Sequence, residues 1–336
     1  MKIVKYSKTY EQLSKIKNSF YLENQSLLKD AIKINKKYIK QPKRKLCKNC
    51  GYKIQGYIFI NHLVKYTVCK KCTHLNGIYK DTNKFTNWLY YQSSGDNYKR
   101  VYQNHFNARV KNIYLPKVQF LKSVLKKKFS VIDFGSGGGF FLKALELLRI
   151  PGKGFEVNQS LVRMGNKYLK KNKQEHIKMN QMHEKIYKEQ ADVLTCIGVL
   201  EHLENPNEII DLFLKSNMKF LYISVPLFSL SSFLENSFKN IYPRLLSGGH
   251  THLYTKESLN YMAKENNLEI VGEWWFGTDI PDLHRSLLVS SNSNDKLLYS
   301  KLLNKFLFNV INKLQHILDK NHICSEVHMI LKKKKF

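Results

Sequence analysis

The sequence lacks a long uninterrupted apolar segment. Its longest apolar stretch runs from Phe220 to Leu234, and Pro226 and several serines interrupt it. This stretch is shorter than the ~18 residues that a membrane-spanning helix needs, so the sequence predicts no transmembrane helix. The amino terminus lacks the apolar core of a secretory signal, because Lys2, Lys5 and further charged residues recur there. We therefore expect a cytoplasmic, reducing location.

Arginine and acidic residues are scarce as well. Only seven of the 56 basic residues are arginine, and 26 acidic residues leave a formal net charge of +30. Arginine is the residue that binds phosphates and bases in a bidentate manner. The lysine runs are scattered along the chain, which favours a solvated lysine surface. An anionic macromolecule such as a nucleic acid is the disfavoured alternative.

Four of the six cysteines form two close pairs. Two residues separate Cys47 from Cys50 and Cys69 from Cys72, and 18 residues lie between the pairs. This spacing is typical of a structural zinc site, in which each tight turn directs two sulfurs to one ion. Four thiolates leave no open position for a catalytic water, so we predict a structural Zn²⁺ in a zinc ribbon. Two disulfides and four free thiols are the alternatives.

The remaining patterns predict four regions. The expected regions are a helical segment at 1–45, the zinc ribbon at 46–80, a helical and aromatic-rich segment at 81–120, and an α/β domain at 121–336. A helical insertion is expected at about 295–320 within the last of these. Apolar residues make up 43% of the chain, which is enough to fill a sizeable core and excludes extensive disorder.

A glycine-rich loop follows a buried strand pattern near residue 131. Gly135, Gly137 and Gly139 allow the backbone to turn sharply and to approach a ligand at the carboxyl end of the strand. The residues after the loop have the apolar spacing of a helix. The dinucleotide-binding pattern G-x-G-x-x-G/A is not matched, because Phe140 stands at its third small position.

This segment resembles the first motif of class I S-adenosylmethionine-dependent methyltransferases. In that motif an apolar strand leads to an acidic residue and G-x-G-x-G, and Asp133 with the three glycines occupies these positions. Further segments resemble the later motifs of the family in the same order: residues 154–157, 192–206, 222–226 and 250–259. The matches extend from about residue 120 to residue 335, roughly two thirds of the chain.

The resemblance implies a fold and a cofactor. The fold is α/β, a Rossmann-like sheet of seven strands in the order 3-2-1-4-5-7-6, preceded by the helical segment and the zinc ribbon. The cofactor is S-adenosyl-L-methionine, with Glu156 accepting hydrogen bonds from both ribose hydroxyls. The implied cofactor contacts are Asp133, Gly135, Ser136, Gly137, Gly139, Glu156, Gly198 and Leu200. Gly198 departs from the family, in which many members carry a polar or acidic residue there.

Each of the two acids has a structural alternative. Asp133 is also suited to capping the glycine turn, and Glu156 to being a solvated strand end.

Three histidines are the candidate catalytic residues. His202 directly follows the fourth-strand motif, and His250 and His252 point the same way if their segment is extended. Histidine suits the removal of a proton from a hydroxyl, because its pKa lies near neutrality. A structural role for His202 and a helix-entry role for His250 and His252 are the alternatives.

The arrangement also resembles bacterial methyltransferases that modify sugars in surface-polysaccharide or natural-product pathways. In these enzymes the ribbon and the helix after it cover the acceptor, and members that methylate carbon carry a long further domain. We therefore predict methyl transfer to a hydroxyl of a small acceptor, a sugar or nucleotide-sugar, and the net charge favours an anionic one. The alternatives are an RNA-base methyltransferase, against which Leu200–Leu203 replaces the Asn-Pro-Pro-Tyr type of motif, and a non-enzymatic binding module.

Overall fold

The computed structural model describes residues 2–8, 23–93, 105–178 and 181–334. Its strands, in chain order, are β1 (Ile3–Tyr6), β2 (Phe59–Asn61), β3 (Val64–Val68), β4 (Leu75–Gly77), β5 (Val131–Phe134), β6 (Gly152–Glu156), β7 (Lys173–His176), β8 (Val193–Ile197), β9 (Phe220–Pro226), β10 (His252–Leu253), β11 (Leu268–Phe276) and β12 (Glu326–Lys333). They form one large sheet and one small sheet.

Helices connect most of these strands. They are, in chain order, α1 (Asn24–Tyr38), α2 (Asn83–Asn87), α3 (Phe106–Arg109), α4 (Leu115–Leu125), α5 (Phe140–Leu147), α6 (Gln159–Asn166), α7 (Met182–Lys188), α8 (Asn207–Lys215), α9 (Leu230–Ser237), α10 (Lys256–Glu265), α11 (Asp279–Ser290), α12 (Lys296–Leu307) and α13 (Ile311–Lys320). Short π-helical segments, Trp88–Ser93 and Val110–Tyr114, follow α2 and α3. A 3-10 turn, Leu200–His202, follows β8.

The large sheet has the predicted strand order with one strand added. Its order is β7-β6-β5-β8-β9-β12-β11-β1. The seven strands of this sheet other than β1 are β5, β6, β7, β8, β9, β11 and β12 in chain order, and β10 belongs to the small sheet. If these seven strands are numbered 1 to 7, their order across the sheet is 3-2-1-4-5-7-6. Strand β12 is antiparallel to both β9 and β11, whereas the other neighbouring pairs of this sheet are parallel. The predicted Rossmann-like α/β fold is therefore confirmed.

The added strand lies in the segment for which the sequence predicts helix. Strand β1 pairs in parallel with β11, and Ile3 lies opposite Gly272. Four residues are too few to establish a periodicity, and the partner strand lies more than 260 residues away in sequence. Helix α1 does have the expected helical structure, and the part of the prediction that covers residues 9–22 lies outside the described residues.

The core lies on both faces of the large sheet. In β5, Val131 packs into a cluster with α4 and α5, and the next residue, Ile132, packs into a cluster with α7, α8 and α10. Successive side chains of a strand point to opposite faces, so a strand covered on both sides has a continuous apolar run. The apolar run of β5 therefore marks a central strand, and its carboxyl end opens at the edge of the sheet where the glycine loop begins.

Helices α12 and α13 occupy the region predicted as a helical insertion. No residue of α12 is buried, and Leu297 and Phe306 are 67% and 74% exposed. Among the described residues, no helix combines the length and the apolar character needed to cross a membrane.

The small sheet joins the ribbon region to the α/β domain. Strands β2 and β3 form a hairpin, β3 pairs with β4, and β4 pairs with β10. In the last pair His252 lies opposite Asn76. A strand of the α/β domain thus completes the sheet that begins between the two cysteine pairs.

Candidate functional site

The glycine-rich loop has the backbone geometry that glycine alone adopts easily. Gly135, Gly137 and Gly139 have φ angles of +68°, +53° and +77°, in the left-handed region. A Cβ at position 135 would lie 2.6 Å from Cγ2 of Val199, so this loop passes close to the segment after β8. At Gly137, by contrast, no atom lies within 4 Å of the place of a Cβ. The loop therefore presents bare backbone at the carboxyl end of β5.

Two buried carboxylates lie beside this loop. Asp133 accepts a hydrogen bond of 2.6 Å from Oγ1 of Thr195, and burial raises its pKa to about 7. Glu156, at the end of β6, accepts 2.8 Å hydrogen bonds from the backbone N–H groups of Gly137 and Asn158. Burial raises the pKa of Glu156 as well. The two predicted acids therefore lie at adjacent strand ends, as the strand order requires.

A glutamine that the sequence analysis did not single out supports the loop. Nε2 of Gln174, on β7, donates hydrogen bonds of 2.8 Å to Oγ of Ser136 and to the carbonyl of Gly137. The Ser136 side chain is thus turned toward β7. No local sequence pattern marks Gln174, because its role depends on the lateral pairing of β6 and β7.

Two cavities open along this edge of the sheet. The smaller has a volume of about 330 Å³ and extends from the glycine loop to Glu201, His250 and Glu326. The larger, of about 890 Å³, extends from Glu156 toward Tyr90 on the segment after α2. Gly135, Gly198 and His202 line both cavities, so the two are parts of one cleft.

Of the two predicted cofactor contacts in the fourth-strand motif, Gly198 lines the cleft and Leu200 does not. Gly198 lines both cavities with a φ of +69°. Leu200, which the resemblance implies as a cofactor contact, is fully buried in the apolar core and lines neither cavity. Its carbonyl accepts a 3.0 Å hydrogen bond from Nε2 of His252. Leu200 therefore packs behind the cleft wall.

The structure brings together two of the three candidate histidines. The ring centroids of His202 and His250 are 4.8 Å apart, and Glu201 lies beside them. His252 is fully buried, and its Nδ1 is 2.8 Å from Nε2 of His74 in the ribbon region. Because its other ring nitrogen is hydrogen-bonded to Leu200, His252 is separated from the cleft.

Burial disfavours the charged forms of Glu201, His202 and His250 at this wall. It lowers the pKa of His202 and lowers that of His250 to about 3. It raises the pKa of Glu201 to about 8. Desolvation disfavours the charged form of each group, which is why the histidines and the carboxyl shift in opposite directions.

Several lining residues of the smaller cavity have no motif in the sequence. They are Tyr114, Lys117, Ser224, Arg244, Ser325 and Glu326. Arg244 is bound to Oδ2 of Asp282 through its NH2 and Nε groups at 2.8 and 3.2 Å. The scarcity of arginine is the one sequence signal that could have drawn attention to this residue.

The segment predicted as a cover lies over the larger cavity in its described part. Asn83, Thr86 and Asn87 of α2 and Tyr90 after it line that cavity. The Tyr90 ring lies 5.8 Å from the ring of His202 in an edge-on arrangement. Residues 94–104 of the predicted cover lie outside the described residues.

The four paired cysteines converge on one point. Sγ of Cys47 is 3.7 Å from Sγ of Cys72, and Sγ of Cys50 is 3.5 Å from Sγ of Cys69. A tetrahedral zinc ion with Zn–S bonds of about 2.3 Å separates its sulfurs by about 3.8 Å. The geometry is therefore compatible with a zinc ribbon.

A buried lysine links the cysteine knuckle to the cleft. Lys48 follows Cys47, and its Nζ contacts the Asp81 carboxylate and donates hydrogen bonds of 2.6 Å to the Leu203 carbonyl and 2.8 Å to Oγ1 of Thr251. Leu203 and Thr251 flank His202 and His250. The ribbon therefore holds both segments that carry these histidines.

Replacing this lysine should destabilise the protein strongly. In Lys48→Met the buried Asp81 loses its nearest cation, and only Arg44, 3.9 Å away, remains paired with it. Breaking a buried ion pair costs about 3–5 kcal/mol, and we expect a loss near the lower figure because Arg44 stays. Urea unfolding measures it, with the exposed Lys45→Met as the control. Equal stability of the two variants would contradict the assignment.

Comparison with known proteins identifies the family. A family model described as a methyltransferase domain (Methyltransf_23) matches residues 106–273, half of the chain. Among curated proteins, none shows a significant sequence match.

Several solved structures are similar in fold, at low sequence identity. The plantazolicin methyltransferase BpumL, in complex with a substrate analogue and S-adenosylhomocysteine (SAH), is 17% identical over 74% of this chain and 94% of its own, with a TM-score of 0.46. An S-adenosylmethionine-dependent methyltransferase from Archaeoglobus fulgidus is 18% identical over 69% and 100%, with a TM-score of 0.43. The magnesium protoporphyrin IX methyltransferase of Synechocystis PCC 6803 is 12% identical over 75% and 100%, with a TM-score of 0.47.

The matched residues contain the glycine loop, the two strand-end acids and the fourth-strand motif, all of which meet at one cleft. This chain belongs to the methyltransferase-domain family and is an S-adenosylmethionine-dependent class I methyltransferase.

Proposed function

We propose that this enzyme transfers a methyl group to a hydroxyl of a small polar acceptor, a sugar or nucleotide-sugar. The observation that carries the proposal is the polar wall of the smaller cavity opposite the glycine loop. Ser224, Arg244, His250 and Glu326 contribute to this wall. An acceptor with several hydroxyls can add hydrogen bonds to these polar groups, and one of its hydroxyls could pair with Nδ1 of His250, which has no partner among the described residues.

The residues around the glycine loop fit the cofactor. When bound, S-adenosylmethionine supplies an electrophilic methyl group on a positively charged sulfur. Glu156 keeps unused lone pairs beside its two backbone hydrogen bonds and would accept the ribose hydroxyls. Asp133 would face the amino group, and the bare backbone at Gly137 leaves room for close approach. Gly135, Ser136, Gly139 and Gly198 complete the proposed contacts.

The acceptor side would align and activate the hydroxyl. Methyl transfer is an in-line displacement, so the protein must hold the attacking oxygen on the axis of the breaking bond. His202 lines both cavities, which supports a position for it between the proposed cofactor and acceptor sites. We assign activation of the hydroxyl to His202 and His250 with Glu201. His252 has no role in this proposal, because its two ring nitrogens bind His74 and Leu200.

The ribbon and the segment after it would shape the acceptor site. We propose that Cys47, Cys50, Cys69 and Cys72 hold a structural zinc ion. Through Lys48 this ion would fix the segments around His202 and His250. The segment with Tyr90, which lines the larger cavity and lies beside His202, would cover the cleft.

The proposed contact of Asp133 with the cofactor's amino group predicts a pH dependence of binding. Its pKa of about 7 reflects burial near Glu156, with Thr195 and Lys117 acting in the opposite direction. An ammonium group favours the ionised carboxylate, so affinity should rise as Asp133 loses its proton. Between pH 6 and pH 8 we expect SAH to bind about tenfold more tightly. Calorimetry at both values should give a flat profile for Asp133→Asn and the full rise for the exposed Asp211→Asn; a flat wild-type profile would contradict the contact.

The reaction itself is tested with S-adenosylmethionine carrying a deuterated methyl group. The purified protein is incubated with panels of sugars, nucleotide-sugars and RNA, and mass spectrometry detects the transferred label. We expect label on a hydroxyl of a sugar or nucleotide-sugar, lost in His202→Ala. Label on an RNA base, with gel-shift binding that depends steeply on salt, would overturn the acceptor class in favour of RNA.

A further inference from the structure

We propose that Glu201, His202 and His250 form a binding site for a divalent transition-metal ion on the acceptor side of the cleft. One ligand atom from each of the three residues lies within 4.8 Å of the other two. All three residues line the smaller cavity. This site is separate from the four cysteines, which form their own cluster.

Two of the three residues carry a buried polar atom that lacks a partner. Oε2 of Glu201 and Nδ1 of His250 are buried and have no hydrogen-bond partner among the described residues. The Glu201 side chain as a whole is nearly inaccessible, since the residue is 4% exposed. Buried polar atoms are almost always hydrogen-bonded, so two unpartnered atoms on residues whose ligand atoms lie within 4.8 Å of one another need an explanation. A bound cation satisfies both.

Each histidine has one ring nitrogen available to a metal ion. Nδ1 of His202 lies 2.7 Å from the carbonyl of Gly249; because a carbonyl only accepts, Nδ1 carries the hydrogen and Nε2 keeps its lone pair. Nδ1 of His250 has no hydrogen-bond partner among the described residues, so its lone pair is available to an ion. Metal-binding histidines commonly donate their second ring nitrogen to a backbone carbonyl in this way.

The neighbourhood leaves Glu201 available to an ion. Gly198 has no side chain, and a Cβ there would lie 3.6 Å from Oε1 of Glu201. Glu326 of the same cavity adds negative charge. Two cations also line it: Arg244 is paired with Asp282, and Lys117 lies 5.1 Å from the ring of Tyr114.

The donor set indicates the class of ion. Two imidazole nitrogens and one carboxylate suit Mn²⁺, Fe²⁺, Co²⁺ or Zn²⁺, and such a three-residue set leaves coordination positions open. Mg²⁺ and Ca²⁺ prefer oxygen ligands throughout. The residues that we propose for hydroxyl activation would then act as ligands of this ion.

The catalytic use of this site rests on the proposed function. An acceptor hydroxyl bound at an open position would have a lowered pKa and release its proton to solvent water. The oxygen would then form the O–CH₃ bond as the S–CH₃ bond breaks, leaving the electron pair on the sulfur of S-adenosylhomocysteine. The metal would not change its oxidation state.

Cobalt titration of the full-length protein tests the site without any acceptor. Zinc-loaded protein is titrated with Co²⁺ and followed by calorimetry and visible absorption. We expect one Co²⁺ per chain beyond the zinc, with bands of nitrogen and oxygen ligation and no sulfur-to-cobalt charge transfer. Glu201→Gln and His250→Ala should each weaken binding at least about tenfold, since even changes around metal ligands cost that much.

Glu326→Gln is the matched control, because this carboxylate lines the same cavity but is bound to Ser224 and His328. Retained SAH binding shows that each variant is folded. The proposal is overturned if no Co²⁺ binds, if Glu201→Gln and His250→Ala bind it normally, if Glu326→Gln weakens it equally, or if the bands report sulfur ligands. If Co²⁺ binds as expected while SAH does not bind the wild type, the cofactor assignment fails and the metal site stands.

Discussion

Replacing Cys69 with serine is expected to remove the zinc ion and unfold the ribbon. Three sulfurs cannot complete the tetrahedron that the four Sγ atoms outline. Metal-binding free energy is folding free energy in such sites, about 10–16 kcal/mol for structural zinc in small peptides. Metal analysis should fall from one zinc per chain to none, the melting temperature should drop, and residues 46–80 should become sensitive to protease.

Cys324→Ser is the control for this experiment. Cys324 is buried, like Cys69, but it belongs to the core beside β12. This variant should keep its zinc. An unchanged zinc content in Cys69→Ser, or a metal-free wild type that melts at the same temperature as the loaded protein, would exclude the structural zinc ion.

Replacing Glu156 with alanine is expected to abolish measurable cofactor binding. The change would remove both acceptors for the ribose hydroxyls and leave the N–H groups of Gly137 and Asn158 without their partners. Hydrogen bonds to a charged group contribute about 1.5–3 kcal/mol each, so two of them correspond to at least a 100-fold loss of affinity. Calorimetry with S-adenosylhomocysteine measures this loss directly.

Glu175→Ala provides the matched comparison on the neighbouring strand. Glu175 is a residue of β7 and lies opposite Phe155 of β6. Its carboxylate forms ion pairs with Lys153 and Lys185. The affinity of the Glu175→Ala protein for S-adenosylhomocysteine should equal that of the wild type. A Glu156→Ala protein that binds the cofactor normally would remove the ribose assignment, and a loss in both variants would indicate general damage to the sheet edge.

The parts of the site that the sequence predicts are those under local constraint. The left-handed φ angles at Gly135 and Gly137 admit few other residues, and a strand-end acid such as Glu156 is identifiable from its strand alone. The strand order follows from recognising the family. These features need no knowledge of distant contacts.

The parts that the sequence does not predict depend on distant partners. His252 lies outside the cleft, where its ring is hydrogen-bonded to His74, 178 positions earlier in the chain. Gln174 supports the loop across two strand pairings, and β1 finds its partner at the far end of the chain. Arg244 reaches the smaller cavity from a segment without regular structure. No local spacing encodes such contacts.

The pairing of β4 with β10 makes the ribbon an integral part of the enzyme. A ribbon exchanged for that of another protein would lose the strand partner that His252–Leu253 provides and the buried contacts of Lys48. The ribbon is therefore a poor unit for recombination between enzymes. Single substitutions at cleft positions such as Tyr90, Ser224 or Glu326 leave this shared sheet intact. We expect such substitutions to change acceptor specificity more readily than an exchange of the ribbon.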